Sequence, residues 1–301
     1  RRTPAFECAQ ALALASGASL HLAVFDHGGA VAALGLAEAE ATRRARNGVI
    51  AEQRLRAEGL AAALRTQGIK ADASISWEYP APDAVLALID RQNPDLVVKD
   101  VQLESPLRRL LYAPLDWELL RRSPAPVLLL PEDGEVVPKR ILAAVDPQAG
   151  NHDLDDALVR EAFALALHCG AELHLATVCD AYFDMVTQAM PYTPIASDAG
   201  FAAADAARRQ LFDAFADRHS VPVERRHFLR GLPAPTLTDF AAGQGFDLMV
   251  LGASVHSRLE HMLMGSTTKQ VLRHLRGSVM VVKASRSNVV PIGIAARPMQ
   301  N

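Results

Sequence analysis

The sequence predicts an α/β protein with two tandem open parallel sheets, each of five strands flanked by helices. Residues 16–23 (SGASLHLA) return as residues 169–176 (CGAELHLA), and residues 95–98 (DLVV) return as residues 247–250 (DLMV). The two offsets, 153 and 152 positions, keep register, so a whole globular unit is duplicated rather than a short solenoid repeat. Continuous apolar runs of strand length alternate with amphipathic stretches, which favours parallel strands buried on both faces.

The elements of copy one follow from this alternation. We expect helices over residues 4–16, 38–67, 82–92 and 116–122, and strands over residues 20–25, 73–77, 96–98 and 127–130. The strand that opens copy two has its counterpart before residue 1, so the first strand of copy one is expected to be absent from this numbering. The chain also opens without an initiator Met, and the sequence leaves open whether residues precede Arg1.

Copy two shows the complete order of elements. Its first helix ends before Gly170, because glycine readily takes the left-handed conformation at a helix C-terminus. We expect helices over residues 154–168, 201–218, 235–242 and 267–274, and strands over residues 140–146, 173–178, 224–229, 248–251 and 279–282.

A linker separates the copies at Pro131-Glu132-Asp133-Gly134-Glu135, where proline and glycine stand among three acids. The predicted domains are residues 1–131, a degenerate first copy, and residues 139–285, followed by a C-terminal tail at 286–301.

Composition excludes several function classes. Half of the residues are hydrophobic and the net charge is only −3, so the chain has no general field that would attract nucleic acid or an anionic membrane. The longest apolar runs are far shorter than the ~20 residues that cross a bilayer. Three cysteines without metal spacing, and no run that resembles a signal peptide, favour the cytoplasm.

The carboxyl ends of the copy-two strands carry the candidate site, because open α/β sheets bind ligands there. Asp146 follows the first strand, and the loop after the fourth strand runs from Gly252 to Gly265 and Ser266. Glycines let the backbone approach a phosphate, and a helix N-terminus attracts one. The alternatives stay open that Gly252 is a turn residue and that Ser266 and Thr267 only cap the helix.

This loop resembles that of the universal stress proteins, whose nucleotide-binding members carry G-x-x-G, nine residues and then G-[S/T]. Gly252 and Gly265-Ser266 match at that spacing, whereas the second glycine is Val255. The resemblance covers both copies and extends to the tandem, E-type members, because residues 114–117 (PLDW) and 123–127 (SPAPV) also resemble their first half. It implies the adenine nucleotide alpha hydrolase-like fold and a pseudo-dimer joined through the last strands. It also implies ATP as the ligand of copy two, with candidate contacts at Asp146, Gly252, Ser254, Gly265, Ser266 and Thr267.

Copy one is not expected to bind a nucleotide. At an offset of 152, Asp100 replaces Gly252, Ala113 replaces Gly265 and Pro114 replaces Ser266. These exchanges add negative charge and remove a backbone donor. Pro114 is expected to begin a helix, with Trp117 as a packing residue.

The connection after Val178 is unusually long and apolar for a surface loop. Its side chains could line a pocket for an apolar or amphipathic ligand, or could cover the sheet and pack on copy one. The candidates are Tyr182, Phe183, Met185, Met190 and Tyr192.

The positions of the histidines indicate structural rather than catalytic roles. His21 and His174 occupy matching strand positions, which predicts a shared structural hydrogen bond. His256 and His261, with Glu260 between them, lack the frame of a zinc site, and no metal site is expected. The sequence contains no G-x-S-x-G motif, so we expect no enzyme activity.

Three functions remain open. The first is a non-catalytic stress-response module that binds a small ligand or signals. The second is an ATP-binding switch that uses copy two alone, and the third is a carrier of an apolar ligand under residues 179–195. A small molecule is the expected partner, and further self-association stays open.

Overall fold

Strands and helices alternate along both halves of the chain. The computed structural model describes residues 2–25, 39–76, 82–101, 114–148, 152–179, 198–253, 265–274 and 277–284. Copy one contains α1 (Pro4–Ser16), β1 (Leu20–Phe25), α2 (Ala39–Thr66), β2 (Ala71–Ser76), α3 (Pro82–Gln92), β3 (Val97–Asp100), α4 (Pro114–Arg122) and β4 (Val127–Leu130). Copy two contains β5 (Arg140–Ala144), α5 (His152–Cys169), β6 (Glu172–Cys179), α6 (Asp198–Arg218), β7 (Arg226–Arg230), α7 (Pro233–Gln244), β8 (Leu248–Ala253), α8 (Ser266–His274) and β9 (Ser278–Lys283).

The predicted elements agree with these bounds to within a few residues. The predicted strand at 224–229 begins later, because Val223–Arg225 forms a single 3₁₀ turn ahead of β7. Helix α5 begins at His152, two residues before its predicted start, and its first turn carries Asp153 and Asp155. Acidic side chains in a first turn interact favourably with the helix dipole.

Seven strands form one sheet in the order β3-β4-β9-β8-β5-β6-β7. The five strands of copy two are all parallel, and β5 is hydrogen-bonded to β6 on one side and to β8 on the other. Strand β4 pairs with β9 in antiparallel register, with Leu128 opposite Met280. This is the contact between last strands that the resemblance implied, and it makes one sheet continuous across both copies.

The described strands of copy one are divided between two sheets. Strands β1 and β2 form a separate parallel pair, whereas β3 and β4 belong to the large sheet. Among the described residues, no strand lies between β3 and β1, although β5 occupies the equivalent place in copy two. Helix α1 contacts both β3 and β1, and its Ala13 packs with Leu64 and Ile69 of the smaller unit.

Helices cover both faces of the large sheet. Side chains alternate across each strand, so Ile141 and Ala143 face one core while Leu142 faces the other. One core is closed by α1, α5 and α6, and the other by α3, α4, α7 and α8. Each core therefore contains residues from both copies. No helix in the described ranges is long and apolar enough to cross a membrane.

The matching histidines make matching hydrogen bonds, as predicted. His21 Nε2 lies 2.8 Å from Ser74 Oγ on β2, and His174 Nδ1 lies 3.0 Å from His227 Nε2 on β7. His174 and His227 also stack and pack against Phe246. Burial lowers the pKa of both imidazoles; Arg140 lowers both further, and His174 also lowers that of His227. Glu172 acts in the opposite direction on His174.

The histidine pair should make stability depend on pH. In the unfolded chain the imidazoles bind protons near their ordinary pKa of 6.5, whereas the folded pair resists protonation. The contribution of this pair to the free energy of unfolding should therefore fall as the pH drops below this value. His227→Ser, which copies the His21–Ser74 pair, should give a shallower fall than the wild type in urea denaturation across this range. An equal or steeper fall in the variant would contradict the assignment.

The pairing of β4 with β9 should couple the two copies energetically. Leu128 and Met280 are 1% and 2% exposed and lie opposite each other in the same core. Leu128→Ala and Met280→Ala should each lower the free energy of unfolding by about 2–5 kcal/mol. Because the two side chains are direct cross-strand neighbours, the double variant should lose less than the sum of the two losses. Strict additivity in chemical denaturation would show that the pair does not interact.

Candidate functional site

A cavity of about 310 Å³ lies at the carboxyl ends of β5 and β8. From β5 the chain continues through β6 and β7 on one side and returns to β8 on the other, so the strand order reverses at this point. Open α/β sheets bind ligands at such a reversal. The described lining comes from β5, β6 and β8 and from the N-terminal turns of α5, α7 and α8: Ala144, Val145, Asp146, Leu154, Asp155, Ala176, Val178, Pro233, Leu237, Leu251, Gly252, Gly265, Ser266, Thr267 and Thr268.

Five of the six residues named from the sequence line this cavity. They are Asp146, Gly252, Gly265, Ser266 and Thr267. Ser254 lies outside the described residues, as does Val255. Residues separated by more than a hundred positions in the chain therefore meet at one place.

The first turn of α8 presents backbone N–H groups at the cavity. The Gly265 carbonyl accepts the first intrahelical hydrogen bond, from Lys269 N at 3.0 Å. Gly265 is therefore at the cap position, and Ser266 and Thr267 are the first helical residues rather than caps. A glycine cap has no side-chain oxygen that could accept from the free N–H groups of the first turn. These groups and the helix dipole attract an anion.

Gly252 contacts both helices that border the cavity. It lies within β8 opposite Val282, so the alternative of a turn residue is wrong. A side chain at this position would place Cβ 3.0 Å from Leu154 Cδ2 of α5, so glycine permits the close approach of that helix. On the α8 side, Thr268 Oγ1 donates to the Gly252 carbonyl at 2.8 Å. Gly252 therefore contacts the first turns of both α5 and α8.

Two carboxyl groups stand at the α5 side of the cavity. The exposed Asp146 accepts from Gln148 N through Oδ1 at 3.3 Å, and its own N–H donates to Asp155 Oδ1 at 3.2 Å. Asp155 is only 5% exposed, and no described residue donates to its Oδ2. Burial raises the pKa of Asp155 to about 6, and the charge of Asp146 adds to this, against the hydrogen bond from the Asp146 backbone.

Asp155 is the residue that the sequence reading missed. It lies on the buried stripe of α5 that continues through Leu158, Val159 and Ala162. Helical periodicity calls for an apolar side chain at this position. The presence of a carboxylate there is the signal that could have identified Asp155.

Charge is distributed unevenly in the cavity. The described lining contains two carboxyl groups at the α5 side, the helix N-terminus at the α8 side and no cationic side chain. The arrangement suits a ligand that is anionic at one end and rich in hydrogen-bond donors at the other.

In the equivalent region of copy one, acidic side chains take the positions of Gly252 and Thr268. Lys99 Nζ lies 2.6 Å from Asp116 Oδ1, and Asp116 occupies the position of Thr268. Asp100, at the position of Gly252, accepts from Ala5 N at 2.9 Å. Helix α4 begins at Pro114, and Trp117 packs on the core, as predicted.

The remaining candidates lie outside the described residues. These are the apolar pocket candidates Tyr182, Phe183, Met185, Met190 and Tyr192, and also His256, Glu260 and His261. Val178, which precedes the apolar segment, lines the cavity. Within the part of the chain that the structure describes, no group of three or more His, Cys, Asp or Glu side chains could hold a metal ion.

Comparison with known proteins identifies the class. The model of the universal stress protein family matches residues 2–131 and 138–283, so the chain belongs to this family. Among its relatives, universal stress protein E of Escherichia coli K12 is 26% identical over 253 residues, which cover 79% of this chain and 76% of the relative. The universal stress protein E homolog of Haemophilus influenzae is 25% identical over 225 residues, covering 73% and 72%. These similarities confirm the tandem, E-type prediction.

Solved structures agree on the fold. A putative universal stress protein from Pseudomonas aeruginosa UCBPP-PA14 superposes with a TM-score of 0.69 at 22% identity, covering 91% of this chain and 86% of the other. A universal stress protein from Archaeoglobus fulgidus gives a TM-score of 0.60 at 15% identity, covering 94% and 96%.

The buried Asp155 carboxyl should cost stability at neutral pH. Its pKa is about 6 in the folded protein against 3.8 for an ordinary Asp, so its contribution is most favourable below pH 3.8 and is lost as the pH rises through 6. Asp155→Asn should therefore raise the free energy of unfolding at pH 7 by on the order of 1–3 kcal/mol, and the gain should vanish near pH 4. Urea denaturation at both pH values tests this, with the exposed Asp153→Asn as control. A less stable Asp155→Asn at pH 7 would refute it.

Proposed function

We propose that this chain is a non-catalytic stress-response protein that binds a small ligand through copy two. The family assignment supports the stress-response role. The observation that carries the ligand-binding proposal is the cavity at the strand reversal, which is lined by five of the residues named from the sequence. Its volume of about 310 Å³ falls at the lower end of the range of small-molecule sites.

An adenine nucleotide such as ATP is the ligand that fits this lining best. The first turn of α8 would hold phosphate oxygens through backbone N–H groups. Val178, Leu237 and Leu251 offer apolar surface to a planar ring, and the Asp146 side offers acceptors to hydroxyl or amino groups. Because Asp100 and Asp116 add negative charge at the positions of Gly252 and Thr268, copy one would bind none, so the chain would act as a switch with one site.

The non-catalytic part of the proposal rests on the sequence. A hydrolytic nucleophile needs a base and an orienting partner, and no motif in the chain marks such a group.

Substitution at Ser266 should distinguish backbone from side-chain contacts. Proline is tolerated at the first position of a helix and begins α4 in copy one, so Ser266→Pro should preserve the fold while it removes one N–H donor. We expect this variant to weaken ATP binding by about 1–2 kcal/mol, roughly tenfold, because the lost hydrogen bond is to a charged group. Ser266→Ala keeps the N–H and should bind more tightly than Ser266→Pro.

Isothermal titration with ATP and magnesium measures both variants against the wild type. Saturable binding with one site per chain is expected. No saturable binding by the wild type at millimolar ATP would remove the nucleotide proposal, and native mass spectrometry of the purified protein would then show whether an apolar molecule occupies the cavity instead.

A further inference from the structure

Asp155 has a buried carboxyl group on the cavity wall, and only one of its two oxygens has a hydrogen-bond donor among the described residues. Its Oδ1 accepts from the Asp146 backbone, while Oδ2 has no donor among the described residues. Buried polar atoms without a partner are rare, and each one costs free energy. An apolar side chain would continue the buried stripe of α5 without this cost, so the carboxyl group requires another explanation.

The position of Asp155 places its carboxyl group on the wall of the cavity. Asp155 lines the same cavity as the first turn of α8, and its neighbour Leu154 packs against Gly252. Because Thr268 of α8 is hydrogen-bonded to the Gly252 carbonyl, the two helix termini are held on either side of one strand residue. The cavity therefore has the first turn of α8 on one side of Gly252 and the first turn of α5, which includes Asp155, on the other.

We propose that Asp155 recognises the ligand directly, and that with Asp146 it selects molecules that carry hydrogen-bond donors at the end opposite their anionic group. The chemical class is a phosphorylated nucleoside or sugar with free hydroxyl or amino groups. This proposal rests on the proposed function, because it assigns a further contact within the same cavity. A ligand hydroxyl or amino group donating to Oδ2 completes the hydrogen bonding of the buried carboxylate.

The charges around Asp155 favour a donor from the ligand. The side chains of Asp146 at the end of β5 and Asp156 on α5 are acidic and raise the pKa of Asp155, whereas the hydrogen bond from the Asp146 backbone and the charge of His152 on α5 lower it. No cationic side chain from the described lining of β5, β6, β8, α7 or α8 faces the cavity. A donor-bearing ligand therefore supplies what the protein lacks at this point.

The test compares Asp155→Asn with the matched control Asp153→Asn. Both changes remove one negative charge from the first turn of α5, but Asp153 is exposed and does not line the cavity. At about pH 7.5, Asp155→Asn should weaken binding of ATP with magnesium by roughly tenfold, since it removes a charged acceptor. Asp153→Asn should stay within about twofold of the wild type, as expected for an exposed charge.

Ligand analogues supply the second arm of the test. ITP replaces the amino group of ATP with a carbonyl, and 2′,3′-dideoxy-ATP lacks both ribose hydroxyls. At least one of them should bind the wild type more weakly than ATP does, and that difference should shrink in Asp155→Asn, as in a double-mutant cycle.

The pH dependence of binding supplies a third readout. As the pH is lowered through about 6, the affinity for ATP should fall more steeply in the wild type than in Asp155→Asn, because protonation of Asp155 removes a charged acceptor, whereas protonation of the terminal phosphate of ATP affects both proteins alike.

The outcomes separate this inference from the proposed function. If ATP binds the wild type and Asp155→Asn equally, with no analogue difference lost, Asp155 is not a ligand contact while the nucleotide site stands. If ATP does not bind the wild type, both proposals fail. A denaturation curve for Asp155→Asn that shows an intact fold excludes unfolding as the cause of weaker binding.

Discussion

The two-sided pairing of β5 is the constraint on which the rest of the structure depends. Ile141, Leu142 and Ala143 are fully buried, with β6 on one side and β8 on the other. From this central strand the chain continues through β6 and β7 on one side and returns to β8 on the other. The strand order therefore reverses at β5, and the cavity lies at the carboxyl end of this strand. Gly252 contacts both α5 and α8, because it leaves room for the Leu154 side chain and its carbonyl accepts a hydrogen bond from Thr268. The geometry of the candidate site therefore follows from strand order rather than from the loop sequence alone.

The same constraint explains why the copies differ. No described strand separates β3 from β1, so copy one is divided into a pair attached to the large sheet and a pair held by α1. Where copy two has Gly252 and Thr268, copy one has Asp100, bonded to α1, and Asp116, paired with Lys99. The antiparallel contact of β4 with β9 makes copy one an extension of the copy-two sheet, and both cores draw residues from both copies. Copy one thus supports the fold while copy two carries the cavity.

Much of this organisation was predictable from the sequence, because it depends on local patterns. The repeat, the alternation of elements and a shared hydrogen bond at His21 and His174 follow from period and spacing. Five cavity residues follow from the resemblance of copy two to a known family. The cap at Gly265 was misassigned because hydroxyl residues are the commoner caps, and only the hydrogen bond from Lys269 fixes the start of α8. The role of Gly252 was open because its neighbour Leu154 is almost a hundred residues away in sequence. Asp155 was missed for a related reason: an acid near a helix start is ordinary, and only tertiary packing shows that this one is buried.

A structure of the protein crystallised with ATP and magnesium tests the central claim most directly, because it locates the ligand relative to β5. The account predicts one nucleotide per chain in the copy-two cavity, with its phosphates at the first turn of α8 and its hydroxyl or amino groups toward Asp146 and Asp155. A nucleotide bound in copy one, one bound in the reverse orientation, or an empty cavity at saturating ATP would contradict it.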